Sequence, residues 1–572
     1  MSVVRGAAAG AAAGAAGATG LAVTVTAALL MTLAGCRDAA APEAAPARRP
    51  NILLVVADDV GYTDLGAYGS EIRTPVIDRL AASGLTFARF RASATCSPTR
   101  ASLMSGTDPH VAGLGNMWED LAPNQKDQPG YEGHLNASVA PLPAVLKQAG
   151  YRTYMAGKWH LGRDEATSPA ARGFDRSFAL LPGGASHFAD RQTIEGAGNH
   201  APYRDDGRLV DALPADFYST RFFADQIIRY LSERPAHDDA PFFAYLAFPA
   251  PHFPLQAPDE SLAMYRGAYD AGYDALFDAR LAAAKRLGVA PANAVGDRPY
   301  PGQRAWLALS AAERAVEARR MEIFAAMVTG VDTHLGRVLD VLRARGELEH
   351  TIVVVMSDNG AEGHDMATEW TAVADTAKAC CNNALENMGR PGSYVWLGPN
   401  WARASSAPFR LFKGYPTEGG IRVPVIINYA GLSRRGVTEA RAHVSDLMPT
   451  LLDLAGVPHP GDSFGGRAVA PMTGVSLKPL LDGTAPWTRA PDEVVADELM
   501  GKRFVSDGAL KALWLPRPHG TAGWQLYDLA ADPSERTDLA GARPADLARL
   551  RAHWDDYARR NRVILPNWVS GY

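Results

Sequence analysis

Cysteine is scarce in this chain of 572 residues, which contains only four of them, so no framework of disulfides can hold the fold together. Long basic runs are also absent, and the formal net charge of −5 argues against a protein that binds nucleic acid. Hydrophobic residues make up 47% and charged residues 21% of the chain, which is ordinary for a globular protein. The length allows one large domain and a smaller one.

The first 35 residues have the composition of an export signal. A run of Ala and Gly with a single arginine precedes an apolar stretch, Leu21 to Gly35, which is short for a membrane-spanning helix. Its end, Leu33-Ala34-Gly35-Cys36, looks like a bacterial lipobox and predicts cleavage before Cys36 and lipidation of that cysteine. An uncleaved anchor is the alternative, and both readings put the rest of the chain outside the cytoplasmic membrane. Residues 36–50, rich in Ala and Pro, would form a tether.

Two continuous apolar runs predict parallel strands that are buried on both faces. Asn51 to Ala57 is followed by Asp58 and Asp59, and Thr351 to Met356 is followed by Ser357, Asp358 and Asn359. Because ligand-binding groups gather at the carboxyl ends of parallel strands, we expect these side chains to meet at one edge of a sheet. Three carboxylates and an amide oxygen suit calcium or magnesium rather than zinc. Turn chemistry would explain either pair alone, whereas two matching pairs favour a cation site.

The residues around Cys96 predict a short loop that turns into a helix. Ser97 is expected to cap this helix and Pro98 to occupy its first position. Arg100 lies one turn after Cys96, so both side chains can face the same spot. A thiol at the positive end of a helix beside an arginine is expected to have a lowered pKa. The alternative is a buried structural cysteine in an ordinary loop.

Two further predicted strands lead into basic side chains. Tyr151 to Ala156 runs on to Lys158 and His160, which would share one face of an extended chain. Phe242 to Phe248 runs on to His252, which prolines on both sides would hold in a stiff loop. Taken alone, His252 could equally be a histidine of a surface loop.

The other segments give coarser predictions. Ala318 to Arg345 has the spacing of a long amphipathic helix, and residues 255–315 are expected to be mostly helical. Residues 361–407 are predicted to be a long irregular and functional segment. Short alternating strands and a closing helix from Pro544 to Arg560 are expected after about residue 480. The adjacent Cys380 and Cys381 are either two thiols or a disulfide, and we favour a structural role for them.

The run Cys96-Ser97-Pro98-Thr99-Arg100 resembles the sulfatase signature, in which cysteine, proline and arginine alternate with variable residues. The resemblance extends from Asn51 to about Leu539, and its other motifs stand in the order of that family: Asp58-Asp59, Gly157-Lys158-Trp159-His160-Leu161-Gly162, Pro251-His252, Ser357-Asp358-Asn359-Gly360 and Lys413. The segment from Trp396 to Pro424 looks particularly like bacterial arylsulfatases. The resemblance implies an α/β fold of the alkaline-phosphatase type, with a mixed sheet flanked by helices. The catalytic domain would span residues 51–480, and a smaller domain with an antiparallel sheet and a helix would span residues 481–572.

The resemblance also implies a mechanism. Cys96 would be oxidised to formylglycine by a maturation enzyme, and the hydrated aldehyde would attack sulfur to give a covalent sulfated enzyme. One Ca²⁺ would be held by Asp58, Asp59, Asp358, Asn359 and the modified side chain of Cys96. Arg100 would pin the hydrate, and Lys158 and Lys413 would neutralise sulfate charge. His252 would protonate the departing alcohol or phenol, and His160 would remove the proton that drives sulfate release.

The expected substrate is therefore a small-molecule or saccharide sulfate ester. One alternative is a phosphate or phosphonate monoester hydrolase of the same superfamily. The other is a lipoprotein that binds sulfated glycans without turnover. In each case we expect an exported protein, periplasmic or at the cell surface, that touches the membrane only through a lipid on Cys36.

Overall fold

The first strand, β1 (Asn51–Ala57), lies inside a ten-stranded sheet and is buried along its whole length. Leu53 and Val55 pack into a hydrophobic core on one face of the sheet, while Ile52 and Leu54 pack into a second core on the other. This alternation follows from the two-residue period of a strand, and it explains why the sequence of β1 is apolar throughout. The prediction of a strand buried on both faces is confirmed.

The computed structural model describes residues 48–193, 196–235, 238–297 and 299–568. The predicted export signal, Cys36 and most of the predicted tether lie outside the described residues. The remaining strands of the large sheet are β2 (Leu85–Arg91), β3 (Arg152–Lys158), β4 (Arg176–Leu180), β5 (Tyr203–Asp205), β6 (Arg208–Leu209), β7 (Phe242–Phe248), β8 (Thr351–Ser357), β9 (Val425–Asn428) and β10 (Gly436–His443).

The sheet is mixed, with the strand order β10-β2-β9-β8-β1-β7-β3-β4-β5-β6. Its centre is parallel, since β1 pairs in parallel with both β7 and β8, and β3 pairs in parallel with β7. The strand β9 runs antiparallel to β8 and β2, and β5 runs antiparallel to β4. The carboxyl ends of β1, β3, β7 and β8 therefore open onto the same edge, which is where such sheets bind ligands.

Helices cover both faces of the sheet. They are α1 (Pro75–Ser83), α2 (Cys96–Ser105), α3 (Pro109–Ala112), α4 (Leu142–Gln148), α5 (Ser219–Ser232), α6 (Asp259–Ala263), α7 (Gly272–Leu287), α8 (Ala311–Ala344), α9 (Thr371–Cys380), α10 (Pro399–Ser405), α11 (Glu418–Ile421), α12 (Leu447–Leu454), α13 (Lys478–Leu481) and α14 (Pro544–Asn561). No helix among the described residues has an apolar stretch long enough to cross a membrane.

The long helix α8 begins seven residues before its predicted start. The Ser310 hydroxyl accepts the Glu313 amide, and the Glu313 carboxylate accepts the Ser310 amide, so the two residues cap the helix reciprocally. Asp332, in the middle of α8, accepts the backbone amides of Val76 and Ile77 at 3.2 and 2.7 Å. It therefore ties the start of α1 to α8.

The predicted irregular segment, residues 361–407, is partly wrong because it contains the helices α9 and α10. The helix α9 carries few large apolar side chains, and its buried face is made by Val373 and small side chains, so its periodicity is weak. Cys380 and Cys381, at the end of α9, form a disulfide with each other. Among the described residues of the segment 255–315, helix is confined to α6, α7, a 3-10 turn at Trp306–Ala308 and the first residues of α8, so the prediction of a mostly helical segment is only partly confirmed.

A separate antiparallel sheet follows the large one, as expected after about residue 480. It has four strands joined in sequence order: β13 (Val495–Leu499), β14 (Lys502–Asp507), β15 (Leu510–Trp514) and β16 (Trp524–Asp528). Before it, β11 (Ser463–Phe464) and β12 (Arg467–Ala468) form a two-stranded ribbon of their own. Buried ion pairs connect this sheet to the rest, since Glu418 at α11 binds Lys511 at 2.9 Å and Arg91 at 2.7 Å. The domain boundary at residue 480 stays a prediction.

Candidate active site

The carboxyl ends of β1 and β8 bring four of the predicted ligands to one place. The strands pair in parallel, so Asp58-Asp59 and Asp358-Asn359 leave neighbouring strands at the same edge, and all four side chains are buried. The Asp59 amide donates to Asp358 Oδ1 at 3.3 Å. The Asn359 side-chain amide donates to Asp59 Oδ1 at 2.7 Å. The structure therefore joins these groups, and their role as metal ligands stays a prediction.

Cys96 is the first residue of α2, and its Sγ lies 3.3 Å from Asp58 Oδ1. The expected cap is wrong: Thr95 precedes the helix without a side-chain cap, and the Ser97 hydroxyl has no hydrogen-bond partner among the described residues. Pro98 consequently occupies the third helical position rather than the first. The start of the helix still directs Cys96 toward the carboxylates at the edge of the sheet.

The expected low pKa of the Cys96 thiol is also wrong. Burial raises this pKa well above its ordinary value, and the negative charge of Asp58 adds to the shift. Lys158 and Lys413 oppose the shift without reversing it. The unmodified thiol is therefore a poor source of thiolate, and the local signal of a helix start was outweighed by surroundings distant in sequence.

Arg100 and Lys158 hold the carboxylates beside Cys96. The Arg100 guanidinium contacts Asp358 Oδ2 through Nε at 2.9 Å and through a terminal nitrogen at 2.8 Å. It also donates to the carbonyl of Lys158 at 3.0 Å. Lys158 Nζ donates to Asp58 Oδ2 at 2.6 Å. All of these side chains are fully buried, so the charges interact in a medium of low dielectric.

Lys413 and His252 approach Asp59 from two other elements. Lys413 Nζ lies 3.0 Å from Asp59 Oδ1 and 3.3 Å from Glu362. His252 Nδ1 is 2.6 Å from the carbonyl of Phe253, which fixes the proton on that nitrogen, and His252 Nε2 lies 3.7 Å from Asp59 Oδ2. Burial lowers the pKa of His252 well below its ordinary value, and Lys413 lowers it further. The imidazole is thus neutral, with Nε2 turned toward the carboxylate cluster.

His160 does not share a face with Lys158 in the way that we expected. The chain turns at His160, whose φ of 54° is left-handed, so the extended conformation ends before this residue. His160 Nε2 lies 3.2 Å from both carboxylate oxygens of Glu119, which also binds Arg163 at 2.9 Å. Burial lowers the pKa of His160 in spite of the opposing effect of Glu119.

The cluster fits a cation. Oxygen, nitrogen or sulfur atoms of Asp58, Asp59, Cys96 and His252 all lie within 4.8 Å of one another. Asn359 Oδ1 is buried and has no hydrogen-bond partner among the described residues, which is what an unassigned ligand atom would show. Burial raises the pKa of Asp59 to about 8, with Asp58 adding to the shift, so a positive ion would relieve the repulsion. His252 Nε2 therefore lies beside the place where a cation would sit, 3.7 Å from Asp59 Oδ2.

A cavity of about 240 Å³ leads to Cys96. Its lining includes Glu119, Asp120, His160, His252 and Lys413, together with Met117 and residues at the start of α9. Sequence reasoning missed Glu119, Asp120 and Glu362. Nothing in their spacing marks them, because each reaches the site from a turn or loop whose position depends on the rest of the fold.

A family model, similar protein sequences and solved structures all match this chain. The family model described as Sulfatase matches residues 50–457, which is more than half of the chain. An uncharacterised sulfatase of Schizosaccharomyces pombe is 42% identical over 545 residues, covering 91% of this chain and 95% of that protein. An arylsulfatase of Klebsiella aerogenes is 36% identical over 466 residues, covering 79% and 95%.

Solved structures are similar in fold. The structure of Ps i-CgsB superposes with a TM-score of 0.62 at 24% identity, covering 91% of this chain and 95% of that chain. The PsFucS1 sulfatase from Pseudoalteromonas sp. superposes with a TM-score of 0.57 at 20% identity, covering 90% of each chain. At these identities the likeness concerns the fold alone. It confirms the predicted alkaline-phosphatase-like sheet flanked by helices, with a smaller antiparallel sheet after it.

A fold of this kind with a buried cluster of carboxylates, lysines and histidines is typical of a hydrolase. The matches narrow this class to sulfuric ester hydrolases. The chain belongs to the sulfatase family.

Proposed function

We propose that this sulfatase hydrolyses sulfate monoesters of phenols or small alcohols, in the manner of an arylsulfatase, after Cys96 has been oxidised to formylglycine. The observation that carries the proposal is the position of Cys96, which lies in the lining of the cavity and 3.3 Å from Asp58. The Klebsiella aerogenes relative named arylsulfatase supports the choice of ester. The raised pKa of the thiol supports the need for oxidation, because an un-ionised thiol is a weak nucleophile.

Oxidation would replace the thiol by a hydrated aldehyde, which supplies a nucleophilic hydroxyl and a second hydroxyl whose deprotonation expels sulfate. The unmodified cysteine marks only where this group would stand. A maturation enzyme that forms formylglycine is the partner that this proposal requires.

The cation that we propose is Ca²⁺, held by Asp58, Asp59, Asp358 and Asn359 with position 96 beside them. The carboxylate and amide oxygens of this set suit a hard cation, and the unpartnered Asn359 Oδ1 supports the assignment. When bound, the ion would supply positive charge that polarises the sulfate ester. Arg100 would orient Asp358 as a ligand, because its guanidinium donates to Asp358 Oδ2 at 2.9 Å.

Lys158 and Lys413 would neutralise the sulfate charge. Each is buried and paired with a carboxylate of the cluster, so its position is fixed before a substrate arrives. Charges that are oriented in advance in a buried site stabilise a developing anion far better than mobile water does. Arg100, which bridges Asp358 and the Lys158 carbonyl, would hold the group at position 96 in its orientation.

His252 and His160 would carry the two proton transfers. His252 Nε2 faces the cluster and would protonate the oxygen of the departing phenol or alcohol. Its pKa is lowered in the protein alone, and the negative charge of a bound sulfate would raise it. His160, oriented by Glu119, would accept the proton whose loss drives sulfate release.

The test is kcat/KM of the mature, full-length enzyme on matched 4-nitrophenyl sulfate and 4-nitrophenyl phosphate, with mass spectrometry of the peptide that contains Cys96. We expect the aldehyde at position 96, a preference for the sulfate ester, and no turnover by Cys96→Ala. Active enzyme that contains only the thiol would overturn the mechanism. A preference for phosphate would assign the chain to the phosphate or phosphonate hydrolases, and binding of sulfated glycans without turnover would make it a lectin-like lipoprotein.

We further propose that the enzyme is exported and anchored by a lipid on Cys36. The support is the sequence of the first 36 residues, with its apolar stretch ending in Leu-Ala-Gly-Cys. Export would place the enzyme where sulfate esters from the surroundings arrive.

A further inference from the structure

The cavity that leads to Cys96 is lined by the buried carboxyl group of Asp120. Asp120 lines this cavity and is only 8% exposed, and its Oδ2 has no hydrogen-bond partner among the described residues. The neighbouring Glu119 differs, because its oxygens are occupied by His160 and Arg163. A buried acceptor that finds no donor costs free energy, so such a group in a binding cavity indicates that the donor comes with the ligand.

Hydrogen bonds between the Asn116 side chain and the backbone fix the position of Asp120. The residue ends a single 3-10 turn, Trp118–Asp120, at the edge of the cavity. The Asn116 side-chain amide donates to the Asp120 carbonyl at 2.6 Å, and the Asn116 side-chain oxygen accepts the Met117 amide at 2.8 Å. The turn is therefore fixed from the backbone side, and the carboxylate is left as the group that it presents to the cavity.

The charges near Asp120 favour a donor and disfavour an anion. Burial raises the pKa of Asp120 to about 7, and the charge of Glu119 adds to the shift. Lys502 and Lys413 act in the opposite direction, but the Lys502 ammonium donates to the Gly414 carbonyl at 2.8 Å. A cationic group beside Asp120 would favour the ionised form of its carboxyl group, whereas an anionic group would be repelled by that ionised form.

The cavity that Asp120 lines also has apolar walls. Met117, Trp370 and Val373 are among its lining residues, the last two at the start of α9. The volume of about 240 Å³ is small beside the roughly 300–1,000 Å³ of ligand clefts in general, so it suits one ring-sized group. The lysines that pair with the carboxylate cluster would bind the sulfate, which leaves Asp120 for the other part of the ester.

We infer that Asp120 forms a subsite for a hydrogen-bond donor on the leaving group, and that an ammonium group is the donor it suits best. Preferred substrates are then sulfate esters of apolar, ring-sized phenols or alcohols that carry an amine, with a hydroxyl as the weaker donor. Leaving groups that carry a carboxylate or a second sulfate are selected against. The inference rests on the proposed sulfate ester hydrolysis and specifies its substrate.

The test uses four phenyl sulfates that differ only at the end of a para side chain: tyramine O-sulfate, the 4-(2-hydroxyethyl), the 4-ethyl and the 4-(2-carboxyethyl) phenyl esters. The aliphatic spacer keeps the leaving-group pKa nearly constant, so differences in kcat/KM report binding of the side chain. We expect the order ammonium, hydroxyl, ethyl, carboxylate, with the ammonium ester favoured over the carboxylate ester on the order of 10–100-fold, the range for hydrogen bonds between charged groups.

The variant Asp120→Asn keeps the shape and removes the charge, so it should reduce this ratio to within about threefold of unity. The matched control is Asp127→Asn, which removes an exposed carboxylate from the same segment and should keep the ratio of the unchanged enzyme. Equal ratios in Asp120→Asn and the unchanged enzyme would overturn the inference, and so would an equal loss of discrimination in Asp127→Asn.

A binding experiment separates this inference from the proposed chemistry. In Cys96→Ala protein, calorimetry should find tighter binding of tyramine than of 4-ethylphenol, and the additional change Asp120→Asn should remove the difference. That result would support the subsite even if no sulfate ester were turned over. Turnover of all four esters at equal kcat/KM, with equal binding of the two phenols, would refute the subsite and leave the sulfatase activity standing.

Discussion

Replacement of His252 by alanine should affect substrates according to their leaving groups. The hydrogen bond from His252 Nδ1 to the Phe253 carbonyl, at 2.6 Å, holds Nε2 toward the carboxylate cluster. The residue is only 4% exposed, so bulk water is a poor substitute for it as a proton donor. An alkyl or unactivated phenyl oxygen needs a proton as the S–O bond breaks, whereas 4-nitrophenolate departs largely unaided. We therefore expect His252→Ala to lower kcat/KM on the order of 10²–10⁴-fold for unactivated esters and much less for activated ones.

The assay is kcat/KM across sulfate esters of graded leaving-group pKa, with thermal unfolding to show that the variant is folded. The control is His459→Ala, which removes an exposed imidazole that contacts Asp453 at 3.0 Å, and which should leave the whole series unchanged. An equal loss across the series would refute the reasoning. It would mean that His252 binds sulfate rather than donating the proton, and Lys413 would be the next candidate for the acid.

Three further results follow from the same geometry. Removal of metal with a calcium chelator should abolish turnover and added Ca²⁺ should restore it, while tightly bound tetrahedral zinc at Asp58 and Asp59 would contradict the hard-cation assignment. Cys36→Ser should release the protein from membranes with unchanged kcat/KM, and persistent attachment would favour an uncleaved anchor. His110→Gln should lower the Tm most at and below about pH 6.5. Burial alone would lower the pKa of His110, but its hydrogen bonds to Asp108 and Glu498 raise this pKa to about 10. The stabilisation by the charged imidazole is therefore lost as the pH rises through 10. Thermal melts from pH 6 to 10 that show a constant difference would contradict this assignment.

Much of the site could be predicted because its residues follow strands that are recognisable in the sequence. The strands β1 and β8 are continuous apolar runs, and parallel pairing takes their carboxyl ends to one edge whatever the loops between them do. Asp58, Asp59, Asp358 and Asn359 were therefore placed together from the sequence. The same reasoning put His252 at the end of β7 and Lys158 at the end of β3.

Failures of prediction arose where the property depends on distant neighbours. The helix start at Cys96 indicated a low thiol pKa, but burial and Asp58, 38 positions earlier, reverse it. The helix α9 was missed because its buried face is made of Val373 and small residues. Its position beside Phe253, where it forms part of the cavity wall, depends on the tertiary packing. Glu119 and Asp120 are adjacent and chemically alike, yet one is paired with His160 and the other has no described partner at its buried oxygen.

The sequence by itself determined the family, the central strands and the identities of the groups at the sheet edge, because these depend on local pattern and on motifs in order. The tertiary structure alone decided the protonation of Cys96, the partners of each acid and the shape of the cavity. Those properties follow from burial and from distances of a few ångströms between residues far apart in the chain, and electrostatic energies in a buried site change steeply with both.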